Sequence, residues 1–254
     1  MADTMKTLKM TFAALLLAPL LAFAAGGDVK LDRAPINPDD HASLQRGARH
    51  FVNYCLNCHS ANYMRYNRLK DIGLTDQQIL DNLVFNGGKV GDLMKIAMDP
   101  KEAKDWFGGT PPELSLIARS RASHAGSGAD WLYSYLRAFY RDAERPTGWN
   151  NTVFPNVGMP HVLWELQGEQ VLGERKVQGA GYEKSEVALK LDKPGTLSAA
   201  EYDQFVADLV NFLVFMAEPG RASRETIGMY VLLALGLLFV LAYALKKEYW
   251  KDVH

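Results

Sequence analysis

The chain has 254 residues, a formal net charge of −1 and a pI of about 6.6, so nothing in its charge suits a nucleic-acid partner. That length allows one sizeable domain with additions. Hydrophobic residues make up 48% of it, an ordinary share, but they concentrate in one block at each end, and these blocks bound the reading of what lies between.

The first block, residues 11–25, reads TFAALLLAPLLAFAA and follows Lys6 and Lys9. It is too short, and too interrupted by Pro19, to span a bilayer comfortably. A positive start, a short apolar core and a small-residue exit predict a secretory signal peptide over residues 1–25, cleaved after about Ala24 or Ala25. The alternative is an uncleaved anchor. Cleavage leaves a body, residues 26–220, outside the cytoplasmic membrane.

Asp40 is placed to cap a helix running to about Asn57, with Leu44, Ala48, Phe51 and Cys55 at helical spacing. Gly47 interrupts it at about 1 kcal/mol relative to alanine; close approach of another helix and simple tolerance both account for it. At the helix end stands YCLNCH, residues 54–59, with both cysteines of the chain. Three chemistries compete for this spacing: covalent haem, a redox dithiol, and half of a zinc site. No second cysteine pair exists to complete a zinc site, and the flanks do not resemble a thioredoxin motif. A plain disulfide would be strained and would leave His59 unexplained. The haem reading uses every residue: Cys55 and Cys58 add to the two vinyl groups, and His59 supplies a ring nitrogen to the iron.

Thr75 and Gln78 form a capping-box pattern opening a helix to about Phe85, stopped by Asn86, Gly87 and Gly88. Thr110 and Glu113 repeat the pattern with Pro111 at the first helical position, followed by Leu114, Ile117 and Ala118 on one face. Residues 129–141, ADWLYSYLRAFYR, predict an aromatic-rich helix. Residues 142–160 are a loop rich in proline, glycine and asparagine, and residues 168–193 alternate enough for a short strand or two. Ser198 and Glu201 cap an amphipathic helix through Met216, whose apolar face is Tyr202, Phe205, Leu209, Phe212, Leu213 and Met216. Glu218, Pro219 and Gly220 make a hinge.

The second block, residues 226–245, is twenty residues without a charge, the span of a bilayer core. Tyr230 and Tyr243 lie near its ends, and Tyr249 and Trp250 follow, as interfacial anchors do. A buried core helix is the alternative. The basic tail, residues 246–254, would remain inside. The expected fold is mainly α: a cytochrome c-like haem domain with long loops plus one C-terminal transmembrane helix.

An iron held by His59 has one position left. Methionine or histidine there makes an electron carrier, whereas an open position favours ligand binding or oxygen chemistry. His124 and His161 are possible, as are Met94, Met98, Met159 and Met216. Met159, in the irregular stretch FPNVGMP at residues 154–160, is presented as a loop can present a thioether. Met98 satisfies the same loop logic.

Four segments carry a family resemblance: LQRGARHFVNYCLNCHS at residues 44–60, PPELSLIARSR at 111–121, FPNVGMP at 154–160 and FLVFMAEP at 212–219. With the C-terminal anchor, they make the chain similar to bacterial cytochrome c1, the membrane-anchored haem subunit of the cytochrome bc1 complex. The resemblance implies thioether bonds at Cys55 and Cys58, His59 and Met159 as axial ligands, Arg119 beside the haem propionates, and one covalent haem c. It implies a subunit that is not catalytic alone, taking one electron from a Rieske iron–sulfur protein and passing it to a soluble or membrane-tethered cytochrome c. Phe51, Phe154 and Leu114 are candidates for an apolar wall around the haem. The other implied partners are cytochrome b and membrane lipid, in a dimeric complex of the inner membrane with the haem domain on the periplasmic side. Residues 88–106 depart from the family pattern. Glu165, Glu169 and Glu174 are candidates for an acidic docking patch, interrupted by Arg175 and Lys176. The rivals are a membrane-anchored haem sensor or enzyme with an open sixth position, and an anchored carrier serving another oxidase.

Overall fold

The computed structural model describes residues 29–85, 88–179 and 182–252. The expected signal peptide, the Asn86–Gly87 part of the predicted helix stop and the last two tail residues lie outside them.

Helix α1, His41–His50, starts where Asp40 accepts a hydrogen bond from the Ser43 amide. It does not run unchanged to Asn57. Its end widens into one π turn, Phe51–Cys55, closed by the Leu56 amide on the Phe51 carbonyl at 2.9 Å. Such single-turn widenings re-aim the side chains beyond them. Strand β1, Ala61–Arg65, a 3₁₀ segment, Tyr66–Ile72, and helix α2, Asp76–Leu83, follow; Thr75 and Gln78 form the expected capping box. Strand β2, Leu93–Met94, pairs antiparallel with β1. Helix α3, Pro100–Phe107, was not expected, although Asp99 caps it and Pro100 opens it in the usual way.

The second capping box does not form. Thr110 donates to the Pro100 carbonyl at 2.9 Å, and the Glu113 carboxylate accepts from the Asn62 and Ser115 amides at 2.7 and 2.9 Å. Consecutive prolines bias the residue before each away from helical geometry, so only the short helix α4, Ile117–Ser120, appears. Helix α5, Gly128–Arg137, also ends before the expected Arg141. Its last carbonyls are taken by side chains from elsewhere: Leu136 by the Tyr202 hydroxyl at 2.9 Å, Arg137 by Gln167 and Gln170, each at 3.0 Å. Phe139–Arg141 instead pairs, as β3, with β4, Trp149–Asn151. After the short helix α6, Trp164–Gln167, strands β5, Gly168–Gly179, and β6, Tyr182–Pro194, form an antiparallel hairpin much longer than the alternation predicted.

Helix α7, Ala199–Ala217, keeps its capping box and buries Tyr202, Leu209, Phe212, Leu213 and Met216. It lies so close to α1 that a Cβ on Gly47 would sit 2.1 Å from the Asp208 carbonyl oxygen. Close approach is therefore why glycine stands there. Beside the crossing, the buried Asp208 carboxylate accepts from Arg46 at 2.6 and 3.0 Å, from Ser43 at 2.7 Å and from Gln204 at 3.0 Å. Burial pushes this carboxyl up, but the bonds, led by Arg46, outweigh it and hold its pKa below the ordinary range. Helix α8, Arg221–Tyr249, contains a stretch of 27 residues, Ser223–Tyr249, in which 18 consecutive residues have mean hydropathy 2.4 and none of those 18 is buried in protein. At 1.5 Å per residue the whole stretch is about 40 Å, more than a hydrocarbon core.

Two tests follow from this packing. Gly47→Ala should lower stability by at least about 2 kcal/mol, read as an earlier denaturation midpoint of the haem-loaded protein. His50 is buried, with its ring 3.9 Å from that of Phe205, and burial pushes its pKa from 6.5 down to about 4. The unfolded chain therefore binds the proton first. Stability is full above pH 6.5 and falls as pH drops to about 4, by on the order of 3 kcal/mol. His50→Leu should flatten that slope in a pH series of melting temperatures.

Candidate haem-binding cavity

The π turn sets the motif at the foot of α1. The Cys58 and His59 amides both donate to the Cys55 carbonyl, at 3.1 and 2.8 Å, and this tight turn directs Cys55, Cys58 and His59 into one cavity. The thiols are not joined to each other. Burial first, then the neighbouring Cys58, pushes the Cys55 thiol up to about 12, and burial raises Cys58 as well. A redox dithiol needs the opposite shift, because the thiolate is the nucleophile. Among the described residues no cluster of His, Cys, Asp and Glu could hold a metal ion, so the zinc reading finds no second half.

His59 Nδ1 lies 2.7 Å from the Pro112 carbonyl oxygen. A carbonyl only accepts, so Nδ1 carries the proton and Nε2 keeps its lone pair. Burial pushes the imidazole pKa below its ordinary value, against the Pro112 bond that raises it. The ring is therefore a neutral base at neutral pH, the form that ligates iron. The prolines that prevented a helix here are what bring this carbonyl to His59.

The opposite wall is the loop of residues 152–160. Buried Asn151 shapes it: its Oδ1 accepts from the Val153 and Phe154 amides at 2.9 and 3.1 Å, and its Nδ2 donates to the Tyr135 carbonyl at 2.8 Å. Asn150 Oδ1 accepts from the Asn156 amide at 2.8 Å, and Asn156 takes a positive φ of 62° to close the turn. The loop delivers Met159, partly buried, to the cavity, with its sulfur 3.4 Å from the Tyr135 hydroxyl. The cavity holds about 340 Å³ and is lined mainly by apolar side chains, among them Leu114, Ile117, Phe154, Val157, Leu209 and Leu213.

The rival donors stand elsewhere. Met98 lines a neighbouring pocket of about 470 Å³ with Lys95 and Glu113. Met94 and Met216 are core residues. His161 is buried, its ring 4.7 Å from that of Phe139 and nearly parallel, outside the cavity lining, and His124 is exposed. Phe154 and Leu114 join the cavity wall as expected, but Phe51 does not; its ring packs 5.7 Å from Phe212 in the core. Arg119 is likewise outside the lining, with a half-exposed guanidinium 3.7 Å from Glu218. Arg121 lines the cavity instead, 4.5 Å from the Trp131 ring centre and 5.6 Å from that of Phe154. Helical phase explains the exchange: two residues along a helix of 3.6 residues per turn is slightly more than half a turn. Glu169 is bound to Arg141 and Lys193 at 2.7 and 2.9 Å, which takes its charge out of any acidic patch. Arg121, Trp131 and Tyr135 were not read as site residues; the aromatic run was the one available sign, and it fits a core helix equally well.

A helical domain that gathers C-x-x-C-H and a loop methionine around one apolar cavity, then continues into a long apolar helix, has the make-up of a membrane-anchored c-type cytochrome. The Cytochrome C1 family model matches residues 33–173 and 195–253, leaving out most of the β5–β6 hairpin. The chain is 51% identical over 250 residues to the ammonia monooxygenase gamma subunit of Nitrosomonas europaea, covering 98% of this chain and 100% of that one. It is 51% identical over 241 residues to the cytochrome c1 of Allochromatium vinosum, covering 94% and 96%. It is 26% identical over 253 residues to the cytochrome b/c1 of Bradyrhizobium diazoefficiens, covering 87% of this chain and 34% of that longer one. The chain belongs to the cytochrome c1 family, and with it to the proteins that use a c-type haem.

Proposed function

We propose that this chain is the haem-bearing electron-transfer subunit of a quinol–cytochrome c oxidoreductase, the bc1 complex. The observation that carries the reading is the meeting of Cys55, Cys58, His59 with a free Nε2, and Met159 in one apolar cavity. The relatives named cytochrome c1 and cytochrome b/c1 support it and bring cytochrome b as a partner. The donor set fits one haem c: two thiols for thioether bonds, and an imidazole and a thioether for the iron. When bound, that group supplies a one-electron iron(II)/iron(III) couple.

The residues do the rest. Cys55 and Cys58 would hold the ring to the π turn, and the Pro112 carbonyl keeps His59 in the tautomer that could ligate iron. Met159 would supply the second iron ligand and leave no position for a substrate, and His/Met ligation would raise the potential toward that of a Rieske donor. Leu114, Phe154, Leu209 and Leu213 exclude water, which also disfavours the more charged oxidised state. Arg121, rather than Arg119, is the cavity arginine and takes the propionate role. Helix α8 is the single-pass anchor. With residues 1–25 as signal peptide, the body of residues 26–220 stands on the periplasmic side of the inner membrane, residues 226–245 cross it and the tail stays inside. A Rieske protein donates, a cytochrome c accepts, and the assembly is dimeric.

The site is tested by carbon monoxide. The reduced wild-type protein should leave its haem spectrum unchanged under the gas, Met159→Leu should bind it and shift the Soret band, and Met98→Leu should behave as wild type. Carbon monoxide binding to the wild type would instead favour a sensor or enzyme. The assembly is tested by mild-detergent capture of the tagged chain: a multi-span b-type cytochrome and a Rieske protein should come with it. Recovery of ammonia monooxygenase subunits would assign the chain to that complex, and recovery alone would leave a lone carrier.

A further inference from the structure

Among the described residues, strands β5 and β6, of 12 and 13 residues, pair only with each other. Strand β5 is the one that packs on β3, where Gln170 donates to the Phe139 carbonyl at 2.9 Å, so β6 carries the outer edge. At about 3.3 Å per residue the hairpin is about 40 Å long. A lone two-stranded ribbon is marginally stable in water, and an open edge of that length is a template for another strand. The register sets Leu172 opposite Leu189, with Leu191 on the same face, and Leu172 and Leu191 are 47% and 49% exposed. That face lacks a cover.

The residue order along β6 says what would fit its edge. Counted outward from Ala188, Glu186 and Lys190 stand two residues away, Lys184 and Asp192 four, and Glu183 and Lys193 five. Every charged residue of the strand has the opposite charge at the same distance on the other side of Ala188. Charges that only ward off pairing need no such order. Antiparallel pairing with β6 of a second copy, about a two-fold axis at Ala188, sets each charge opposite its complement and Val187 opposite Leu189. Lys193 also holds Glu169 at 2.9 Å, so it would be shared. Opposite charges across a strand pair favour pairing and like charges oppose it. Moving the axis to Val187 would set Lys184 opposite Lys190, and moving it to Leu189 would set Glu186 opposite Asp192. The order therefore selects one register. We infer that β6 is a dimerisation strand: two copies of this chain join edge to edge along it, with Ala188 on the two-fold axis, into a four-stranded antiparallel sheet. Such a contact is isologous and closed, and it goes beyond the electron-transfer reading without depending on it.

The experiment uses the full haem-loaded chain in its membranes, with copper–phenanthroline as oxidant. Residues directly opposite in an antiparallel pair bring their Cβ atoms to about 5 Å, within reach of a disulfide. Ala188→Cys should therefore give a covalent dimer. Lys190→Cys should give at least tenfold less, because its two copies would stand on the order of 13 Å apart. Adding Lys190→Glu to Ala188→Cys puts like charges across the axis and should cut the dimer yield roughly fivefold; adding Glu186→Lys as well should restore it. No dimer with Ala188→Cys, equal yields at the two positions, or a yield that ignores the charge reversal overturns the inference and leaves the electron-transfer reading untouched. If Ala188→Cys does not load haem, the wild type decides by carbodiimide coupling and peptide mass. A zero-length amide between Glu186 and Lys190 can only join two copies, since within one strand these residues lie on the order of 13 Å apart. Its presence supports the pairing, and its absence overturns it.

Discussion

At Gly47 the backbone of α1 comes so near α7 that any side chain would meet the Asp208 carbonyl. This contact sets where the motif-bearing helix lies against the α7 side of the cavity. Helix α1 carries the motif at its C-terminal end, and α7 supplies Leu209 and Leu213 to the cavity wall. The Asp208 network then holds the crossing in register, because its buried carboxylate needs Arg46 and Ser43 from α1. Removing one partner of such a network leaves a buried charge uncompensated, so the crossing tolerates no sliding.

The second constraint is the extended segment at Pro111 and Pro112. Two prolines keep it out of a helix, and the Leu114 amide pins it to the Ser60 carbonyl at 2.9 Å. Its Pro112 carbonyl thereby meets His59 Nδ1. The far wall is held by different means, the buried amides of Asn150 and Asn151, which shape the Met159 loop. The two ligand-bearing walls thus depend on separate local devices joined through α5 and α7. Glu218, where α7 ends, bridges Arg119 and Arg224 at 3.7 and 2.8 Å, tying the cavity-side helix α4 to the start of the anchor. Partly exposed pairs of this kind add at most about 1 kcal/mol.

The β5–β6 hairpin stands apart from this scheme. The family match skips residues 174–194, and the hairpin joins the body at its base, through the Glu169 pair with Arg141 and the Gln170 side chain on the Arg137 and Phe139 carbonyls. It was underread as a short strand or two because most of its pairing is local to itself: two strands can satisfy one another without an apolar face that a periodicity test would notice.

By itself the sequence determined the covalent and compositional facts: a C-x-x-C-H motif with no other thiols, capping boxes at Thr75 and Ser198, the apolar face of α7 and a charge-free span near the C-terminus. These are properties of neighbours within a turn or two, or of a continuous run, so they read directly. The tertiary structure alone decided what depends on distant segments meeting. It decided that Gly47 is a contact and not a tolerated residue. It placed Met159 in the cavity and Met98 beside it in another. It put Arg121 at the cavity and Arg119 on Glu218, and it stopped α5 at Arg137 by giving its last carbonyls to Tyr202, Gln167 and Gln170. Each of those outcomes compares alternatives of equal local propensity, and the packing between remote parts of the chain breaks the tie.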